Sequence, residues 1–295
     1  MKCSKCRKRA CLNGLCRKHF IEYFERKVIE TIRKYKLLSK KDRIAVAFSG
    51  GKDSTVALYA VNKFFPNVTA VSIDEGISEG SYKRETGENS IDFCKKHRIK
   101  LKTYSFKEEF GLTLDEILKI VHEKPCSICG VLRRWLLNKK LSSFDRAATG
   151  HNSDDEAEAI FMNMTKANIS TNARLGPITG VRSDKKFTIR VKPLYLCSER
   201  EIVEYANIMH FPVLKKRCPY RKEAFRLSIR KSIERIERKR KGAKEEFLKS
   251  HLKSLSKLRE YFSEGDIMHC RECGQPSTKE LCRACIILEK IRNAK

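Results

Sequence analysis

The chain has 295 residues, and its 64 lysines and arginines against 36 aspartates and glutamates give a formal net charge of +28. Such a surplus is self-repelling without a polyanion, so nucleic acid is the first partner to consider and an anionic membrane surface the second. No apolar run reaches the roughly 18 residues of a membrane span. The first residues, MKCSKCRKRACLNGLC, lack the apolar region of a secretory signal. We expect a cytoplasmic protein without a membrane segment, whose 13 cysteines serve metal or redox chemistry.

The first cysteine group combines two short knuckles. Cys3 and Cys6 form a C-x2-C pair, Cys16 and His19 form a C-x2-H pair, and Cys11 stands between them. Four sulfur and nitrogen donors at this spacing can close a tetrahedral zinc site. We predict a structural zinc ion bound by the two pairs, with Cys11 outside the site.

An apolar run at 44–48 is followed by a glycine-rich loop and then by a helical pattern. The run IAVAF predicts a buried parallel strand, and the loop SGGKDS at 49–54 precedes TVALYAVNKFF, which is apolar at helical spacing. Glycines let backbone N–H groups approach an anion, serines add donors, and a helix N-terminus favours negative charge. The spacing excludes the Walker A and dinucleotide fingerprints. A phosphate loop is the functional interpretation, and a tight turn is the alternative.

Strand and helix patterns alternate through the middle of the chain. We predict strands at 68–73, 101–106, 146–150 and 187–194, and helices at 81–97, 112–121, 131–140, 154–164 and 198–208. Ser198 and Glu201 form a predicted capping box, and Ser153 or Asp154 is the predicted N-cap of the helix at 154–164. This alternation favours an α/β fold with a doubly wound parallel sheet.

Polar clusters follow several of the predicted strands. SGGKDS follows the first strand, Asp74 ends the second, and GHNSDD at 150–155 follows the strand at 146–150. Ligands of doubly wound sheets bind beyond the carboxyl ends of the strands. We therefore expect these clusters on one rim.

The middle cysteines are three rather than four. Cys126 and Cys129 form a C-x2-C pair, and Cys218 stands far along the chain, with no histidine at an obvious fourth position. Three thiols suit an iron–sulfur cluster with one open iron, or a redox relay. A redox pair or zinc half-site at Cys126 and Cys129, with Cys218 incidental, is the alternative.

The last third of the chain is basic and then cysteine-rich. Residues 215–262 predict basic helices, with Phe225, Ile229, Ile233 and Ile236 on a packing face and cations around them. Nucleic acid contact is the better account of that surplus, and an ordinary solvated helix is the alternative. Downstream lies a zinc-ribbon pattern that predicts a second structural zinc ion, formed by Cys270, Cys273, Cys282 and Cys285.

Taken together, these motifs resemble one family along essentially the whole chain. SGGKDS after a strand is the motif of the PP-loop ATP pyrophosphatases, and GHNSDDEAE resembles the second rim motif of their tRNA-thiolating members. The central cysteines and the two zinc patterns make the chain similar to tRNA 2-thiouridine synthetases of the TtuA type and to the wobble-uridine thiolases. The resemblance implies four regions: a zinc finger at 1–24, a PP-loop catalytic domain at 25–214, a tRNA-binding basic segment at 215–264 and a zinc ribbon at 265–295.

The resemblance also implies roles for individual residues. Asp155 is implied to orient Mg²⁺ or the base, Lys52 to act electrostatically beside phosphate, and Arg133 to occupy the place of a basic residue that is a candidate for catalysis. Three residues are implied to be both catalytic and ligands of a 4Fe-4S cluster: Cys126, Cys129 and Cys218. The residues implied to bind ATP are Ser49, Gly50, Gly51, Lys52, Asp53, Ser54, Ser72, Ile73, Asp74, Gly150 and Asp155.

The implied reaction is adenylation of a uridine C2 oxygen by ATP, followed by replacement of that oxygen with sulfur. The sulfur donor is hydrosulfide or a ubiquitin-like sulfur carrier, the cofactors are Mg²⁺, the 4Fe-4S cluster and two Zn²⁺, and the chain is implied to be a homodimer. The alternatives are a thiolase using a cysteine persulfide and disulfide, a non-catalytic zinc-ribbon RNA-binding protein, and a PP-loop ligase or amidase for a small molecule. The target uridine, in the T-loop or at the wobble position, stays open.

Overall fold

The computed structural model describes residues 2–78, 82–179, 188–212, 218–220, 225–262 and 268–294. The helices are α1 (Arg17–Lys34), α2 (Lys52–Phe64), α3 (Tyr82–Lys96), α4 (Phe106–Phe110), α5 (Leu114–Ile120), α6 (Pro125–Leu141), α7 (Ser153–Thr165), α8 (Ile169–Asn172), α9 (Glu199–Ile208), α10 (Phe225–Lys239), α11 (Ala243–Tyr261) and α12 (Arg283–Asn293). The strands are β1 (Ile44–Ala47), β2 (Val68–Asp74), β3 (Lys100–Ser105), β4 (Arg146–Ala148), β5 (Ile178–Thr179), β6 (Arg190–Val191), β7 (Met268–His269) and β8 (Pro276–Ser277). Among the helices of these ranges, none has the length and apolar character that a bilayer crossing requires.

The central sheet has the order β3-β2-β1-β4-β6-β5, and its pairings are parallel except for the edge strand β5. Successive residues of β1 face opposite sides: Ile44 and Val46 enter one buried cluster, and Ala45 enters another. Helices therefore cover both faces, which confirms the predicted doubly wound sheet. The strand order reverses between β1 and β4, where doubly wound folds bind their ligands.

Helix α1 joins the first cysteine group to the sheet. Its residues Phe20, Phe24 and Val28 are fully buried at i, i+4 and i+8, in the same cluster as β1. Phe24 stacks on Tyr205 of α9 with ring centroids 4.4 Å apart. The first cysteine group therefore shares the core of the sheet, and the predicted boundary after residue 24 lies within α1.

Helix α12 joins the last cysteine group to the opposite layer. Its apolar face, with Ala284 and Ile287, packs into a cluster with Ile128 and Leu132 of α6. The helix that carries two of the middle cysteines is thus partly buried by the C-terminal segment.

Local differences from the predicted elements have identifiable causes. Helix α6 begins at Pro125, not near 131, because proline suits the first helical position. The N-cap of α7 is Asn152, not Ser153 or Asp154. The run predicted as a strand at 187–194 contains only the short β6, since Pro193 has no N–H for a sheet ladder. Residue 187 and the predicted boundaries after 214 and 264 lie outside the described residues.

Candidate active site

Three polar segments meet at one edge of the sheet, as the sequence predicts. The SGGKDS loop follows β1, Asp74 ends β2, and the GHNSDD segment follows β4. Strands β2, β1 and β4 are adjacent and parallel, so their carboxyl ends lie side by side. The three segments therefore border one cleft.

The loop after β1 is folded around a serine. Ser49 donates its backbone N–H to Ser54 Oγ (3.2 Å), and Ser54 Oγ donates to the carbonyl oxygen of Gly51 (2.9 Å). Gly50 has φ of 72°, a conformation that favours glycine. Helix α2 begins at Lys52, so its first N–H groups and its dipole point into the cleft. This arrangement suits the phosphates of a nucleotide.

The GHNSDD segment packs directly onto this loop. A Cβ atom at Gly150 would lie 2.7 Å from the carbonyl carbon of Asp53 and 2.8 Å from the Ser54 nitrogen. Asn152 donates from Nδ2 to Asp53 Oδ1 (2.9 Å), and its own Oδ1 caps α7. Gly150 is therefore required for the close contact of the two segments.

Asp155 sits beside the loop as a partly buried carboxylate. Burial raises its pKa to about 6, with a further upward contribution from Asp53, while Arg226 opposes the shift. Arg226 Nη2 lies 2.7 Å from Asp155 Oδ1. Asp53 and Asp155 are hard oxygen donors near the phosphate loop, so both fit the role of Mg²⁺ ligands.

The end of β2 forms a tight turn next to the loop. Asp74 Oδ1 accepts a hydrogen bond from the Gly76 N–H (2.8 Å), and a Cβ atom on Gly76 would lie 2.6 Å from Thr113. Ser72 is buried and Ile73 is half-buried. These three positions, implied to contact adenosine, lie at the rim beside the SGGKDS loop.

The three middle cysteines lie near a glutamate that the sequence did not single out. Cys126 and Cys129 are in the first turns of α6, and Cys126 Sγ lies 3.4 Å from the carbonyl oxygen of Tyr220. Burial raises the pKa of Cys129 to about 12, and Glu75 adds to the shift. Burial is the main cause that raises the pKa of Cys218, and Cys126 and Glu75 raise it further. Cys129 and Cys218 also pack against the same apolar cluster, so the fold brings the three thiols into one region.

Glu75 and Arg133 connect the thiols to the nucleotide half of the cleft. Glu75 follows Asp74 directly, and its Oε1 lies 3.3 Å from Arg133 Nη1. Arg133 lies on α6, four residues after Cys129. The positive charge of Arg133 opposes the rise in the pKa of Cys129. One guanidinium thus joins the helix of the thiols to the end of β2, and the only sequence signal for Glu75 was its place next to Asp74.

The two terminal cysteine groups are arranged as compact metal sites. The donor atoms of each group lie within 4.8 Å of one another. Cys6 Sγ lies 3.5 Å from Cys16 Sγ, and Cys273 Sγ lies 3.7 Å from Cys282 Sγ. Thiolates about 2.3 Å from a tetrahedral zinc ion are about 3.8 Å apart, so both groups fit Zn²⁺. The groups are Cys3, Cys6, Cys16 and His19, and Cys270, Cys273, Cys282 and Cys285.

The C-terminal group contacts the helix of the middle cysteines. Trp135 on α6 donates from Nε1 to Cys273 Sγ (3.4 Å), and Asn138 donates to Gln275 Oε1 (3.2 Å). Arg283 lies 2.5 Å from Glu123, three residues before Cys126. The C-terminal cysteine group is therefore positioned to support α6 as well as its own segment.

This contact makes the single tryptophan of the chain a reporter of the C-terminal site. We expect the substitution Cys273→Ser to weaken metal binding there and to shift the emission of Trp135 to longer wavelength, because its N–H loses its thiolate partner and its surroundings open. Tryptophan emission spectra with zinc analysis check this. The matched variant Cys6→Ser, in the N-terminal group, should lose zinc without the shift. An equal shift in both variants would contradict the contact.

Known proteins match this chain along nearly its whole length. The PP-loop domain family matches residues 21–236. A tRNA-5-methyluridine(54) 2-sulfurtransferase of Pyrococcus horikoshii is 37% identical, over 97% of this chain and 93% of that protein. The cytoplasmic tRNA 2-thiolation protein 1 of Arabidopsis thaliana is 32% identical, over 94% of this chain and 79% of that protein.

A solved structure supports the same relationship. The U34-tRNA thiolase NcsA from Methanococcus maripaludis, with its [4Fe-4S] cluster, superposes with a TM-score of 0.82 at 30% identity, over 99% of this chain and 96% of that one. The chain belongs to the PP-loop domain family, in the group that contains these tRNA 2-sulfurtransferases and thiolases.

Proposed function

We propose that this chain is an ATP-dependent tRNA 2-sulfurtransferase that converts a uridine to 2-thiouridine. The observation that carries the proposal is the contact between the two halves of the cleft. Glu75, directly after the end of β2, lies 3.3 Å from Arg133 of α6, the helix that carries Cys126 and Cys129. A phosphate loop and a group of three thiols have no common use in a protein that only binds RNA. The names of its relatives as tRNA 2-sulfurtransferases support the same activity.

The nucleotide half of the cleft would activate the uridine. The uridine C2 oxygen attacks the α-phosphate of ATP, pyrophosphate leaves, and the oxygen becomes part of an AMP leaving group. The first backbone N–H groups of α2, which have no partners within the helix, would face the phosphates, and the SGGKDS loop would hold them in place. Asp53 and Asp155 would hold Mg²⁺, and Lys52 offsets charge beside the loop. Sulfide then replaces AMP at C2, so the net products are 2-thiouridine, AMP and pyrophosphate.

The thiol half of the cleft fits a 4Fe-4S cluster held by Cys126, Cys129 and Cys218. Among the described residues, these three thiols do not form a group as compact as the terminal zinc sites. Wider spacing suits a cluster, in which each cysteine binds a different iron. Such a cluster, with three protein ligands, would supply an iron with an open position for sulfur. Glu75 and Arg133 would set the charge around such a cluster, because both act on the thiol of Cys129.

The basic segment offers a surface for tRNA. On α10, Lys231, Arg235 and Lys239 recur every four residues and are all exposed, so they form one stripe on the outside of the helix. Phosphate contacts by such side chains give affinity without sequence specificity. We propose this stripe as part of the tRNA-binding surface of the segment at 215–264.

The remaining assignments rest on the family resemblance. We propose hydrosulfide or a ubiquitin-like sulfur carrier as the sulfur donor, a homodimer as the assembly and the cytoplasm as the location. The division into a zinc finger, a catalytic domain, a basic segment and a zinc ribbon is part of the same proposal.

Anaerobically purified protein tests the function directly. We expect formation of AMP and pyrophosphate that depends on tRNA, 2-thiouridine in digested tRNA by mass spectrometry, and about four irons per chain with broad absorption near 400 nm. Sequencing the thiolated position distinguishes a T-loop target from the wobble uridine. Thiolation by protein that holds zinc but no iron would favour the persulfide mechanism. Absence of both AMP formation and thiolation would contradict the proposed function.

A further inference from the structure

The inner face of the basic helix α10 is turned toward the nucleotide site. Arg226 Nη2 lies 2.7 Å from Asp155 Oδ1, and its Nε lies 2.5 Å from Glu158 Oε2. Arg230 Nε lies 2.5 Å from Glu158 Oε1. Glu158 is almost fully buried, so it needs both guanidinium groups as partners. These two half-buried cations of the basic segment are therefore held in ion pairs with α7.

The same ion pairs continue to the phosphate loop. Arg230 Nη1 lies 3.3 Å from Glu199 Oε2, and Glu199 Oε1 lies 2.8 Å from Lys52 Nζ. Lys52 also lies 2.8 Å from Asp53. Asp53 accepts from Asn152, and Asn152 donates its N–H to Asp155 Oδ2 (3.2 Å). The contacts thus close a ring, which we call the charge ring. It passes through the SGGKDS loop, the GHNSDD segment, α9 and α10. Its members are Lys52, Asp53, Asn152, Asp155, Arg226, Glu158, Arg230 and Glu199.

Ion pairs hold α10 in its place together with a small apolar contact, in which the half-buried Ile233 packs against Ala157, Ile160 and Leu248. Ile229 is the one buried residue of the described helix. The cations on its inner face pair with acids of α7 and α9, while Lys231, Arg235 and Lys239 face outward. A helix seated mainly by ion pairs responds to charge added on either side, because few apolar contacts oppose its movement. Phosphates of tRNA would reach its outer face, and phosphates of ATP would reach the charge ring.

We propose that Arg226 and Arg230 are positioning residues that couple tRNA binding on the outer face of α10 to ATP binding in the phosphate loop. This inference rests on the proposed function, because it takes tRNA and ATP as the two ligands. Triphosphate in the loop attracts Lys52 away from Glu199. Glu199 then depends on Arg230 alone, which draws α10 toward α9 and fixes its outer stripe for tRNA.

Equilibrium binding measurements test the coupling without requiring the sulfur-transfer reaction to take place. The tRNA dissociation constant is measured with Mg²⁺ alone and with Mg²⁺ plus α,β-methylene ATP, in which the scissile bridging oxygen is replaced. For the unmodified protein we expect the nucleotide to tighten tRNA binding about fivefold or more, and tRNA to tighten nucleotide binding by the same factor. For Arg230→Gln we expect both factors to fall to about one while tRNA still binds through the outer stripe.

A matched variant on the same helix separates coupling from affinity. Arg235→Gln removes the same chemical group from the outer face, so it should weaken tRNA binding and lower its salt dependence but keep the coupling factor. If Arg230→Gln unfolds, as judged by circular dichroism, Arg226→Gln tests the same ring through Asp155. Arg230→Gln with the unmodified coupling factor would overturn the inference, as would an unmodified protein that binds both ligands independently. Failure of the unmodified protein to bind tRNA at all would instead overturn the proposed function.

Discussion

Gly150→Ala is expected to lower ATP-dependent AMP formation by about a hundredfold or more, since displacement of reacting groups by about 1 Å has effects of that size. The added Cβ would lie 2.7 Å from the carbonyl carbon of Asp53 and 2.8 Å from its oxygen. These are backbone atoms, which cannot rotate away as a flexible side chain can. The GHNSDD segment must therefore move off the SGGKDS loop, and the Asn152–Asp53 hydrogen bond of 2.9 Å is lost.

Steady-state kinetics with tRNA and ATP measure this effect on kcat/KM. Gly87→Ala is the matched control, because a Cβ atom there meets nothing within 4 Å and Gly87 lies on α3, where alanine is the better helix former. The control should retain full activity. Iron content, and tRNA affinity measured without nucleotide, should be unchanged in both variants. Normal AMP formation by Gly150→Ala would mean that the two segments need not touch during the reaction.

The rim of the cleft could be predicted because its signals are local. The apolar run at 44–48, the glycines at 50 and 51 and the helical pattern from 52 lie in immediate succession, and parallel strands place their carboxyl ends together. The capping box of Ser198 and Glu201 was likewise predicted and confirmed. Two such signals were misread: Pro125 marks the start of α6, and Asn152 is the better cap than the serine after it.

The contacts that complete the cleft could not be predicted, because they join distant parts of the chain. The pairs Glu75–Arg133 and Lys52–Glu199 connect residues on different elements, and no spacing rule links them. The contacts of the basic segment could not be predicted from the sequence either. Its composition indicates nucleic acid binding, but only the fold separates the inward Arg226 and Arg230 from the outward stripe. Composition therefore predicts a partner but not which cations are free to bind it.

The substitution with the largest expected effect on sulfur transfer is Cys218→Ser. Cys218 lies on a different segment from Cys126 and Cys129, and Cys126 Sγ lies 3.4 Å from the carbonyl oxygen of Tyr220 in that segment. Serine is a poor ligand for iron, so we expect iron content to fall and 2-thiouridine to become undetectable. AMP formation should continue in part, because the nucleotide half of the cleft is built from β1, β4 and their loops.

Cys11→Ser is the control for this experiment, because Cys11 is exposed and lies outside both terminal metal groups. It should keep full thiolation and full iron content. Iron analysis, the absorption spectrum and mass spectrometry of digested tRNA are compared for the two variants and the unmodified protein. Normal thiolation by Cys218→Ser would contradict the assignment of Cys218 as a cluster ligand. Loss of AMP formation together with iron would show that the two halves of the cleft are not independent, so that the thiols also help to position the nucleotide site.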